Sequence, residues 1–92
     1  MNVTVVIPTR DQKERLRLVL CGLQGQSLGL NRFEILVVDD DCSDGTAGMV
    51  KAVAADGLPN LRLLKSSQEA RGRSAARNTG LEEARGELVV FL

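Results

Sequence analysis

Four apolar runs recur at near-even intervals along the chain: Val3–Ile7, Ile35–Val38, Leu61–Leu64 and Leu88–Leu92. The first, second and fourth are almost unbroken and rich in β-branched residues, the pattern of strands buried on both faces. The third alternates more and contains Arg62, as expected of a strand nearer a sheet edge. Pro8 lacks the N–H that a ladder needs, so the first strand is expected to end there.

Helix-length segments separate the runs. Asp11 is a candidate N-cap, and Glu14 three residues on completes a capping box. Leu16, Val19, Leu20 and Leu23 then share one helical face, and the stretch from Gly25 to Gly29 stops the helix. A second helix is predicted from Asp44 or Thr46 to about Ala55, with Met49, Val50 and Val53 turned inward. The segment from Asp56 to Asn60 is its stop and turn. A third runs from about Arg73 to Ala84 and closes at Gly86.

Strands alternating with helices define an α/β fold with a parallel sheet and right-handed crossovers. The expected architecture is Rossmann-like, three layers α/β/α, with four parallel strands in the order 3-2-1-4. Ligands in such sheets bind beyond the carboxyl ends of the strands. The 92 residues form one domain, 1–92, without repeat or linker. The last five residues are an apolar strand with nothing after it, as expected of a chain cut from a longer protein.

Composition narrows the chemistry. Hydrophobic residues make up 43% and charged residues 26%, ordinary globular values. Twelve Lys and Arg balance twelve Asp and Glu, which argues against bulk attraction to nucleic acid or an anionic membrane. With no His, every His-dependent triad, base or metal ligand is excluded. Cys21 and Cys42 are too few for a disulfide scaffold and match no metal spacing, so reduced cytosolic thiols are expected. No signal peptide precedes the first apolar run, and no run approaches the ~20 residues that cross a bilayer.

Three segments at strand ends could carry chemistry. Pro8-Thr9-Arg10-Asp11 offers a hydroxyl and backbone groups at the carboxyl edge, or is a plain loop into a capped helix. Asp39-Asp40-Asp41 places three carboxylates in a row, which raise one another's pKa unless a cation or hydrogen-bond donors intervene. It is either a ligand or metal contact, or a solvated acidic turn with Ser43 or Asp44 as N-cap. Arg71, Gly72, Arg73 and Arg77 put positive charge and a close backbone approach at a helix start. The alternative there is a surface helix rich in arginine. Asn78 and Gly80 are poor helix formers, so a tertiary or functional reason is expected for them.

Taken alone, these residues admit a Mg-dependent phosphotransferase-like domain built on Asp39–Asp41, or a non-catalytic α/β assembly module. In the latter, the apolar Leu88–Leu92 edge would pair copies into a homo-oligomer.

Taken together, the segments resemble something more specific. The strand-end P-T-R, the V-V-D-D followed by S-D-G-T, and G-R-S-A-A-R-N-T-G followed by R-G-E-L-V-V-F-L come in one order across Val3 to Leu92. This resembles the amino-terminal half of a family 2 glycosyltransferase of the GT-A fold, of a bacterial type. The resemblance implies an inverting transfer of sugar from a nucleoside-diphosphate donor, most commonly UDP, to an unknown saccharide or lipid-linked acceptor.

It further implies that Pro8 and Thr9 meet the base and ribose, that Arg10 belongs with them to the nucleotide-binding set, and that Asp39 accepts a hydrogen bond from the base. Asp41, Arg71, Gly72 and Arg73 belong to the same nucleotide-binding set. Arg77, Asn78 and Gly80 match a signature taken as mainly architectural. Arg10-Asp11, Asp41-Cys42 and Ala70-Arg71 depart from the family's usual residues.

The Asp-x-Asp pair that holds Mg²⁺ or Mn²⁺ is expected immediately after Leu92, and the catalytic residues later still. This chain is therefore expected to carry neither, and to be inactive alone. The implied location is cytoplasmic, at the inner face of the membrane in the parent protein.

Overall fold

The computed structural model describes residues 3–24, 32–40, 43–58, 60–66 and 73–92. Seven elements follow in order: β1 (Val3–Thr9), α1 (Lys13–Gln24), β2 (Phe33–Asp39), α2 (Thr46–Gly57), β3 (Leu61–Lys65), α3 (Arg73–Glu83) and β4 (Leu88–Phe91). The strands form one parallel sheet in the order β3-β2-β1-β4, as the pattern predicts. Helices α1 and α2 cover one face and α3 the other.

Alternation along the strands sorts the core into two layers. Val5, Ile7, Phe33, Ile35 and Val37 pack under Leu16 and Leu20 of α1 and Val50 of α2. Val19, Leu23, Met49 and Val53 close around them, so the predicted inner faces of both helices hold. Val6 and Val38 point the other way, against Ala76 of α3. The central strand β2 is buried along its whole length.

Two strand expectations need correction. β1 runs through Pro8 to Thr9, with Pro8 opposite Val38. Val3 and Thr9 hydrogen-bond toward β2 and Val6 toward Leu92, so the even-numbered Pro8 turns its nitrogen to the β4 side, beyond the last residue of that strand. Its missing N–H costs no bond to β2. The fourth strand takes the edge position expected of it, but its faces, expected to be buried, are exposed: Leu88 is 59% and Leu92 59% exposed. Nothing described covers its outer side, although its sequence is as apolar as that of β2.

Helix α3 lies very close to the sheet. A Cβ at Gly80 would come within 2.4 Å of Val6 Cγ1, and one at Gly86 within 2.6 Å of the Thr4 nitrogen. Gly80 thus serves packing, the tertiary reason its helical position called for. The same approach lets a buried polar cluster form at the amino end of the sheet. Glu34, 2% exposed, accepts hydrogen bonds from Thr4 Oγ1 at 2.8 Å, Arg62 Nη2 at 3.2 Å and the Arg85 N–H at 2.6 Å. Thr4 Oγ1 in turn accepts from the Gly86 N–H at 2.8 Å. Burial pushes the Glu34 carboxyl up, but the Arg85 N–H, the Thr4 hydroxyl and Arg62 outweigh it and hold it below the usual glutamate range.

Two predictions follow from this packing. Gly80→Ala should lower stability by about 1–3 kcal/mol through overpacking, whereas Gly22→Ala, open on the α1 surface, should raise it by about 0.5–1 kcal/mol. Urea unfolding of the two variants checks both signs. Because the folded-state pKa of Glu34 is depressed, its stabilisation is complete above the unfolded value of about 4.3 and is lost as pH falls through the folded one. Unfolding midpoints should therefore drop as pH falls below about 4.3, and Glu34→Gln should flatten that drop.

Candidate functional site

The carboxyl ends of three strands meet in one register, with Thr9 beside Asp39 and Asp39 beside Lys65. Backbone pairing continues one step further: the Asp40 N–H donates to the Thr9 carbonyl at 2.9 Å, and the Ser66 N–H to that of Asp39 at 3.1 Å. Thr9 and Asp39 follow Ile7 and Val37 by one alternation, so both side chains stand on the α1/α2 side of the sheet. Both are buried, at 6% and 7% exposure, although one is a hydroxyl and the other an acid at the end of its strand. Asp40, also buried, accepts a hydrogen bond from Ser66 Oγ at 3.1 Å.

A cleft of about 270 Å³ opens on the β4 side of Thr9. Ile7, Pro8 and Thr9 form its floor, Gln12, Arg15, Leu16 and Val19 of the β1–α1 loop and α1 one wall, and Arg77 and Leu92 the other. Here the sheet changes its direction of growth, with β2 and β3 on one side of β1 and β4 on the other. Open α/β sheets bind ligands at such a switch point.

The predicted site residues therefore divide. Pro8 and Thr9 line the cleft, Asp39 adjoins it on the far side of Thr9, and Arg10 is exposed on the loop beyond. Asp41, Arg71 and Gly72 lie outside the described residues, as does the side chain of Arg73. Arg77, which the resemblance implies is mainly architectural, lines the cleft. Ala76 and Gly80 face the sheet, and Arg77 emerges one residue on, exposed, with its guanidinium carbon 5.8 Å from the Phe91 ring centroid. A helical wheel drawn from Ala76 and Gly80 would have separated it from the architectural positions.

The loops after β1 and β2 are cross-tied. Asp11 Oδ1 accepts from the Ser43 N–H at 2.7 Å, and Asp44 Oδ2 accepts from the Lys13 N–H at 3.0 Å. Asp44 Oδ1 also accepts from the Thr46 N–H at 3.2 Å and from the Thr46 hydroxyl. The expected capping box is thus replaced. Asp11 sits at φ +50°, outside the extended range of an N-cap, and the first N–H of α1 is capped from the other loop. Asp44 caps α2 as well, from one residue before the N-cap Gly45, which sits at φ +85°. The Thr46 hydroxyl, helped by the Lys13 and Thr46 N–H groups, holds Asp44 below the usual carboxylate range despite partial desolvation.

Among the described residues no group of three or more His, Cys, Asp or Glu side chains could hold a metal ion. The described part of the acidic run offers a hydrogen-bonding edge, with Asp40 tied to Ser66.

Buried polar groups and a cleft at the carboxyl edge of a parallel sheet define an α/β ligand-binding domain of the doubly wound class. Comparison with known proteins carries this further. The model of the family described as "Glycosyl transferase family 2" matches residues 4–92, and the chain belongs to that family. It is 33% identical over 90 residues to glycosyltransferase AglE of Haloferax volcanii, covering 98% of this chain and 29% of that protein. It is 34% identical over 92 residues to a dolichol-phosphate mannosyltransferase of Pyrococcus furiosus, covering all of this chain and 25% of that one.

Among solved structures, Staphylococcus aureus TarS in complex with UDP-GlcNAc superposes with a TM-score of 0.89 at 30% identity, over 100% of this chain and 26% of that one. Mannosyltransferase PcManGT from Pyrobaculum calidifontis, in complex with GDP-Man and Mn²⁺, gives 0.84 at 33% identity, over 96% of this chain and 26% of that one. The fold is that of the GT-A glycosyltransferases. The chain spans about a quarter of the length of these relatives.

Proposed function

We propose that this chain is the nucleotide-binding portion of a glycosyltransferase that takes its sugar from a nucleoside-diphosphate donor, with UDP as the nucleotide, and transfers it with inversion. One observation carries the reading. Asp39 is a buried carboxylate at the carboxyl end of a central strand, paired in register with Thr9. A base N–H offered to such an acceptor is discriminated strongly, because a base without that donor leaves a buried acceptor unpaired. Thr9 and Pro8 continue the surface from Asp39 into the cleft, where Arg15 and Arg77 supply positive charge for an anionic donor. Relatives of the same fold are seen with UDP-GlcNAc and with GDP-Man, which supports a nucleotide-sugar donor and leaves the base to be tested.

The acceptor, a saccharide or a lipid-linked one, belongs to the whole enzyme, as does a divalent cation (Mg²⁺ or Mn²⁺), which would neutralise the leaving diphosphate. A cytoplasmic location, at the inner face of the membrane, completes the proposal. The exposed free thiol of Cys21 suits a reducing compartment.

Isothermal titration with UDP, GDP and CDP tests the nucleotide reading. UDP should bind most tightly, and Asp39→Ala should weaken it by roughly 10- to 100-fold, the loss of one charge-assisted hydrogen bond. Equal affinity for all three, or an Asp39→Ala variant that binds like the parent, contradicts it.

The apolar edge of β4 supports one more proposal, that the 92-residue chain self-associates by pairing this strand between copies. Sedimentation should show concentration-dependent dimers that Val90→Lys abolishes. A monomer at all concentrations contradicts the pairing.

A further inference from the structure

We propose that Asp44 is a positioning residue for the nucleotide site: one carboxylate ties the start of α1 to the start of α2 and so holds the two ligand-side loops at a set separation. The inference rests on the nucleotide-binding reading for its ligand.

The ladder fixes the strands only as far as Thr9 and Asp39, with one further bond from the Asp40 N–H to the Thr9 carbonyl. Arg10 and Ser43 lie past that point. Their relative placement depends on what joins the loops beyond the sheet. Among the described residues, reciprocal hydrogen bonds do so. The first loop sends Asp11 Oδ1 to the Ser43 N–H, and the second sends Asp44 Oδ2 to the Lys13 N–H, 31 residues away in sequence.

A carboxylate serving only its own helix needs none of this. Asp44 caps α2 with Oδ1 alone, through the Thr46 N–H and hydroxyl. That leaves Oδ2 for the neighbouring helix. Both oxygens lie where the positive ends of two helix dipoles converge, which favours an anion at the junction. The backbone conforms to the brace: Asp11 at φ +50° and Gly45 at φ +85° both occupy the left-handed region. Asp enters that region more readily than most residues, and glycine does so without steric cost. A ligand gripped from two loops is bound as well as their separation is held, so the brace converts loop rigidity into affinity.

The test combines amide hydrogen exchange with UDP titration on Asp44→Ala, Asp44→Asn and a core control, Val50→Ala. In Asp44→Ala, exchange in the first turns of both α1 and α2 should rise about tenfold, the loss expected for a capping bond. The amide of Leu20 should keep its protection relative to global stability. UDP affinity should fall at least about fivefold, a sizeable part of the loss of one hydrogen bond. Asp44→Asn, which keeps a carbonyl acceptor for one helix, should fall between Ala and the parent. Val50→Ala should lose thermal stability but keep the parent's affinity, which separates positioning from mere folding.

Faster exchange confined to the start of α2 overturns the brace, since Asp44 would then be an ordinary cap. Faster exchange at both helices with unchanged UDP affinity overturns the positioning role. A parent chain that binds none of UDP, GDP and CDP overturns the nucleotide reading and the ligand part of this proposal with it, while the exchange pattern still decides the brace.

Discussion

The burial of Glu34 is the constraint on which the arrangement of this chain depends. A charged carboxylate at 2% exposure costs several kcal/mol unless donors replace its water. Here the donors come from β1, from β3 and from the turn that leads into β4, and Glu34 itself lies on β2. One side chain therefore touches or adjoins all four strands. The condition for closing the cluster is that the α3–β4 turn descend onto β1, and only glycine at position 86 leaves room for that descent. Gly80 meets the same demand one turn from the end of α3, against Val6. Besides this seating, β4 is held by its pairing to β1, by Val89 against the α3-side core and by Phe91 beside Arg77.

The opposite end of the sheet has a different job. The apolar core stops at Ile7 and Val37, and the next residues on that face are Thr9 and Asp39. Polar groups are buried here too, at 6% exposure for Thr9 and 7% for Asp39. The cleft begins beside them, bounded by Leu92 at the end of β4. The anchored turn at one end of β4 thus determines where the wall of the cleft stands at the other. β4 links the two ends, and a second shared carboxylate, Asp44, ties the starts of α1 and α2. Membership of glycosyl transferase family 2 and the match to enzymes seen with nucleotide sugars give this polar edge its proposed ligand.

Much of this was legible beforehand because it is local. The β-branched runs and the helical faces of Leu16, Leu20 and Val50 follow from periodicity, and the strand order from the Rossmann-like architecture they imply. A glycine inside a helix pointed to the close approach at Gly80. What was not legible depends on geometry between distant segments. Pro8 remains within its strand because of which neighbour its nitrogen faces. Asp11 has the residue type and spacing of a cap, yet its carboxylate is taken by Ser43 and the capping falls to Asp44. The exposure of β4 could not be told from the burial of β2 by composition, since both runs are equally apolar. Nothing near Glu34 in sequence marked Arg62 and the Arg85 N–H as its partners.

The central claim is that a nucleotide is held where Thr9 and Asp39 meet. The most direct measurement is an amide NMR titration of this chain with UDP. The account predicts shifts centred on Thr9, Arg10, Asp39 and Asp40, fading along both strands toward Thr4 and Glu34. Shifts centred instead on the outer face of α2, or a well-dispersed spectrum that does not change at saturating UDP, would contradict it.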